Sequence, residues 1–125
     1  MLILIDNRSG QPIYEQICAQ IKGAILGGEL PEHTPLPSIR GLAKDLKVSF
    51  ITTKRAYEEL EREGWIYTVP GKGCFVAAKN LEMVREERLR EIEAHLEAAA
   101  ALAAELGLSS AELEEMLRFS MEGRP

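Results

Sequence analysis

Between residues 31 and 37 the chain places three prolines in seven positions, Pro31, Pro35 and Pro37. No helix survives that density, because each ring removes a backbone donor and pushes the preceding residue out of the helical region. Leu30 to Pro37 is therefore an extended connector, and helical structure must lie on either side of it. Before it, Pro12 suits a helix start, since its missing N–H is one the first turn does not use. Ile13, Ile17, Ile21 and Ile25 follow at steps of four, joined by Tyr14, Cys18 and Ala24. Gly27-Gly28 closes that amphipathic run. The opening Met1-Leu2-Ile3-Leu4-Ile5 is predicted as a short strand. It has no basic flank and meets Asp6 at once, so it is no signal peptide.

After the connector, Ser38 caps a short helix with Ile39, Leu42, Ala43 and Leu46 inward. Val48-Ser49 makes a tight turn, and Ser49 caps a second helix that runs to about Glu63 and stops at Gly64. Trp65 to Val69 and Cys74 to Val76 are β-prone runs separated by Pro70-Gly71-Lys72-Gly73, a hairpin with a basic tip. Beyond Lys79 the composition turns to Glu, Ala, Leu and Arg, which favour helix. Leu89, Ile92, Leu96, Ala99, Ala103 and Leu106 form one seam, which fails when projected back to Arg85 and Glu82. Gly107 ends that helix. Ser109 with Glu112 makes a capping box, and Leu108 with Leu113 a hydrophobic staple, for a last helix bearing Leu113, Met116, Leu117 and Met121. The expected fold is α+β: a winged helix-turn-helix over residues 1–78, then a short α-helical hairpin for dimerisation over 79–125. A chain of 125 residues holds one compact core and such an appendage, but not two large cores.

The net charge of −5 argues at first against a nucleic-acid partner. Residues 1–78, however, hold nine Lys+Arg and nine Asp+Glu, and residues 79–125 hold six against eleven, so the whole excess lies in the tail. Between Ser38 and Tyr57, Arg40, Lys44, Lys47, Lys54 and Arg55 face only Asp45. An acidic average hides a basic face. A helix about 10–12 Å across fits the ~12 Å major groove, with its N-terminal turns at the base edges. If Thr53, Ala56, Tyr57 and Leu60 pack inward, Ser49, Phe50, Thr52 and Lys54 face out. The acidic Glu58, Glu59, Glu61 and Glu63 fall at the far end.

These residues resemble a known family. Leu36-Pro37-Ser38-Ile39-Arg40, Leu42-Ala43, Leu46, Val48-Ser49, Thr52, Ala56-Tyr57, Leu60-Glu61 and Glu63-Gly64 are similar to the N-terminal module of GntR-family regulators. Gly71-Lys72-Gly73 followed by Phe75-Val76 resembles that family's wing. Pro12-Ile13-Tyr14-Glu15-Gln16-Ile17, with so short a run after the wing, resembles the YtrA-like subfamily. The resemblance implies a sequence-specific transcriptional regulator, a repressor by family expectation, acting as a homodimer on a palindromic double-stranded operator. It implies contacts from Arg40, Ser49, Phe50, Thr52, Lys54 and Arg55, with the recognition helix spanning about 49–63. The wing, 69–75, would bring Lys72 and Gly73 to the minor groove. Leu89, Ile92, Leu96, Leu106, Leu113 and Leu117 are the dimerisation candidates. Three positions depart from the family pattern. Phe50 stands where Arg or another polar residue is usual, leaving a thymine-methyl contact or local packing. Thr53 replaces an apolar branched residue, and its hydroxyl needs a partner. Gly41 replaces the acid that would complete a capping box with Ser38.

Other functions find less support. There is no nucleophile–base pair, no cofactor loop and no metal-ligand spacing around His33 or His95, so neither enzyme activity, cofactor nor metal is expected. No apolar run approaches the ~20 residues of a membrane span. Cys18 and Cys74, far apart and without CxxC spacing, are expected as free thiols in the cytoplasm, chiefly packing. A small-molecule effector is left open: the tail forms no obvious sensor pocket, though a dimer cleft could hold a small ligand. The rival reading is a protein-interaction module, favoured by the acidic tail and opposed by Lys54, Arg55 and Lys72.

Overall fold

The computed structural model describes residues 1–124. Its elements are α1 (Ile13–Leu26), α2 (Ile39–Leu46), α3 (Phe50–Arg62), β1 (Ile66–Val69), β2 (Gly73–Val76), α4 (Leu81–Leu106) and α5 (Ser110–Glu122). The class is α+β, in the expected order. The chain divides into two compact units, Met1–Leu81 and the segment from Glu82 onward.

In the first unit the isoleucine ladder makes the core. Ile17, Ile21 and Ile25 are buried on α1, which packs on α3, where Ala56, Tyr57 and Leu60 are buried. α2 packs on the same helix with Leu42 and Ala43. β1 and β2 pair antiparallel in the register Ile66↔Val76 to Val69↔Gly73, which puts Ile66 and Val76 together in the interior. Every hydroxyl buried here has found a partner. Thr53 Oγ1 donates to the Ser49 carbonyl at 3.2 Å, the back-bond its sequence position demands. Tyr57 donates to the Pro37 carbonyl at 2.7 Å, tying α3 to the residue before the α2 cap.

The connector is extended, and it also pairs. Its segment lies along the open edge of β2, with His33 N–H donating to Val76 O, Val76 N–H to Thr34 O and Leu36 N–H to Cys74 O. Pro35 faces Phe75 between the last two of these bonds, at a position where no donor is needed. Pro35 thus leaves the outer side of this segment short of one donor for any further strand.

The N-terminal pentapeptide corrects the sequence reading, since it forms no strand. Its backbone is met by side chains. Leu4 N–H donates to Gln20 Oε1 at 2.8 Å, and Gln20 Nε2 donates back to Leu4 O at 2.7 Å. Asp6 makes the same reciprocal pair with Gln16, at 2.8 and 2.9 Å. A glutamine amide carries the donor and acceptor of a peptide group, so two glutamines one turn apart on α1 replace a neighbouring strand.

In the second unit α4 ends at Gly107, left-handed at φ 69°, with Leu108 N–H on the Ala103 carbonyl. Ser109 then caps α5, and the expected capping box with Glu112 is complete. Among the described residues of this unit only Ala103 is buried. Leu89, Ile92, Leu96, Leu106 and Leu117 lie exposed, and Leu113 is half-buried.

Candidate nucleic-acid interface

The interface is built from two helix starts and a turn. Ser38 Oγ accepts the Gly41 N–H at 3.0 Å, and Ser49 Oγ accepts the Thr52 N–H at 3.0 Å. Both caps fix where their helices begin and leave other first-turn N–H groups facing water, a place suited to phosphate. Between them Lys47 closes α2 in the left-handed region, φ 56° and ψ 44°. Glycine is usual at such a position, because a Cβ there is strained. A lysine puts a cation on the turn instead.

The exposed face of α3 follows from its buried one. Thr53, Ala56, Tyr57 and Leu60 point inward, and Ser49, Phe50 and Lys54 are exposed as their spacing predicts. Thr52 is half-buried, and its Oγ1 accepts a bond from Ser49 Oγ at 2.8 Å, so its own proton remains to be donated. Phe50 is partly covered by Arg40, whose guanidinium lies 5.0 Å from the ring centroid. That contact joins the first turns of α2 and α3. Arg55 is drawn back to α1, where it sits 3.9 Å from the Tyr14 ring and donates to its hydroxyl at 3.3 Å. Of the predicted contact set, Arg40, Ser49, Phe50, Thr52 and Lys54 gather at one helix end, while Arg55, exposed beside Lys54, lies over the Tyr14 ring of α1. Ile51 was missed. It is 77% exposed on the outward side of α3, and the buried spacing that placed its neighbours already pointed to it.

The wing forms a second basic point. Lys72 N–H closes the loop on Val69 O at 2.9 Å, with Gly71 and Gly73 at φ 78° and 110°. Space around both glycines is open, so backbone conformation rather than crowding calls for them. Lys72 is exposed at the tip. Below it, Tyr67 stacks on Phe75 with centroids 5.6 Å apart, and His33 meets the Tyr67 hydroxyl at 2.9 Å through Nδ1. The strands are thereby stiffened under the exposed cation.

Acids on α3 are largely engaged within the fold. Glu59 pairs with Arg62, Glu61 accepts the Thr68 N–H, and Glu63 pairs with Lys22 at 2.8 Å. The Lys22 ammonium bonded to Glu63 holds that carboxyl below its ordinary range. Among the described residues Lys44, Lys47, Lys54 and Lys72 make no ion pair. The local charge facing solvent at the helix starts and wing is therefore positive. No set of three His, Cys, Asp or Glu among the described residues could hold a metal. No described helix is long and apolar enough to cross a membrane.

Comparison with known proteins agrees with this geometry. A family model described as "Bacterial regulatory proteins, gntR family" matches residues 13–76, from α1 through β2. The chain is 39% identical over 95 residues to the HTH-type transcriptional repressor YtrA of Bacillus subtilis, covering 76% of this chain and 73% of that protein. Among solved structures, a GntR family transcriptional regulator from Listeria monocytogenes superposes with a TM-score of 0.69 at 28% identity. That match covers 91% of this chain and 97% of the other. AraR(DBD) in complex with operator ORX1 superposes with a TM-score of 0.55 at 28% identity, covering 62% of this chain and 96% of AraR(DBD). The helix-turn-helix, its wing and these matches converge, and the chain belongs to the gntR family of bacterial regulatory proteins, as a YtrA-like member.

Proposed function

We propose that this protein is a cytoplasmic homodimeric repressor of transcription that binds a palindromic operator. α3 and its Ser49 cap enter the major groove, and the wing, 69–75, lies against the adjacent minor groove. The observation that carries this is the gathering of unpaired cations around one capped helix end, Arg40, Lys44, Lys47 and Lys54, with Lys72 alone on the wing. The similarity to AraR(DBD), solved with an operator, supports the same partner. Base edges are met by Ser49, Phe50, Thr52 and Lys54; phosphates are met by Arg40, by the free first-turn N–H groups and by Lys72 with the Gly73 backbone.

The tail supplies the second copy. Leu89, Ile92, Leu96, Leu106 and Leu117 stand exposed, and with Leu113 they make more apolar surface than a lone hairpin covers. A two-fold partner buries it and sets two recognition helices about one turn of DNA, ~34 Å, apart. The residues 1–81 unit and the tail thereby divide the work, reading in one and pairing in the other.

The test is operator selection from a random duplex library, followed by gel shift across salt concentrations. Binding that weakens steeply with salt, in proportion to the phosphates neutralised, is expected. Lys54→Glu and Lys72→Glu abolish it without unfolding the chain, since both side chains are exposed. A protein-interaction module would instead keep its partner through both reversals and show no salt-sensitive duplex binding.

A further inference from the structure

Ile51 has no structural reason to be isoleucine. It occupies the first turn of α3, roughly opposite the buried Thr53, Ala56, Tyr57 and Leu60, and is 77% exposed. A β-branched residue gains nothing there from helix propensity, and the positive end of a helix favours acids or small hydroxyls. Its neighbours on the outward face are cationic or polar: Lys54 and Arg55 one turn on, and the Ser49 and Thr52 hydroxyls at the cap, with the acidic Glu58 a further turn away from the helix start. Phe50 presents less apolar surface, 41% exposed and with Arg40 over its ring. The surroundings select a polyanion, while the side chain at their centre demands an apolar contact.

The major groove of duplex DNA offers both at once. Its walls are phosphate, and thymine projects a C5-methyl from its floor. We propose that Ile51 is a specificity-determining residue that packs on the C5-methyl of one thymine in each operator half-site. This rests on α3 being the groove-bound helix and adds which chemical group is read, and by which side chain. Lys54, on the following turn of α3, then sits near the strand that borders that base.

The experiment removes one methyl group from the DNA. In the operator selected by the full chain, each thymine is replaced in turn by deoxyuridine, which keeps base pairing and deletes the C5-methyl. One thymine per half-site is expected at which the wild-type chain loses affinity about fourfold, the equivalent of one buried methyl. Cytosine and 5-methylcytosine at that position should differ in the same sense, the methylated base binding tighter. Ile51→Ser should bind the thymine and uracil operators equally, with its salt dependence and Tm unchanged; Ile51→Val should keep the discrimination. Normal operator binding with indifference to uracil at every position overturns this inference alone. So does an equal uracil penalty in wild type and Ile51→Ser. Absence of salt-sensitive duplex binding overturns it together with the operator reading.

Discussion

At the scale of single residues, the polar atoms inside the first unit behave as commitments rather than decoration. Tyr57 is buried and donates to the Pro37 carbonyl, and burial pushes its phenol well above the ordinary tyrosine range. Tyr57→Phe leaves that carbonyl without its donor and should cost about 1–2 kcal/mol, read as a lower urea midpoint at unchanged slope. Cys18 donates to the Ala56 carbonyl, and burial raises its thiol to about 11. Of the two free cysteines, the half-buried Cys74 should therefore react with a thiol reagent at pH 8 while Cys18 waits for unfolding. Equal rates for both would contradict the burial of Cys18. Thr53 was legible in the sequence as a hydroxyl in need of a partner. The helix itself decides which partner it takes, the Ser49 carbonyl one turn back.

At the scale of elements, caps and turns were the most readable features, because they depend on residues within a few positions. Ser38, Ser49 and Ser109 each cap the helix their spacing announced. Gly41 shows where local reading needs amending. A Cβ at that position would meet Ser38 Oγ at 2.9 Å, so the missing side chain also gives the cap room. Gly41→Ala should then stabilise the protein by less than the roughly 0.5–1 kcal/mol ordinary for a helix interior, or destabilise it, measured by thermal unfolding. Lys47 tests the turn between α2 and α3. Lys47→Gly relieves the left-handed lysine and should raise stability by about 1 kcal/mol while weakening operator binding, as one cation is lost. The salt slope and the Tm should move in opposite senses.

At the scale of the whole molecule, the acid limb of stability and the assembly are the quantities to measure. Glu63 is held below its ordinary range by the bond from Lys22. Its contribution is present above the unfolded carboxyl value near 4.5 and is lost as pH falls through the lower folded value. Glu63→Gln should therefore lower the Tm at pH 7, and the gap with wild type should close as pH falls below 4.5 and through the lower folded value; the pair is partly exposed, so the effect is small. Leu96→Glu with Leu117→Glu, both exposed on the tail, should convert the proposed dimer to a monomer in sedimentation and leave the residues 1–81 unit folded. Operator affinity should fall by orders of magnitude, because two half-sites no longer bind as one.

By itself the sequence determined the helices, their caps, the hairpin and the location of positive charge, all of which rest on periodicity and short-range chemistry. Tertiary structure decided what each exposed group is free to do. Arg40 and Arg55 are the same residue type on the same basic stretch, yet one lies over Phe50 at the helix start and the other is turned onto Tyr14 of α1. The N-terminal pentapeptide has strand-forming residues, yet Leu4 and, just beyond, Asp6 pair with the side chains of Gln20 and Gln16, while the edge of β2 is taken by the proline connector. Such outcomes depend on neighbours distant in sequence competing for one donor, one ring or one edge. No pattern within a single segment records who wins.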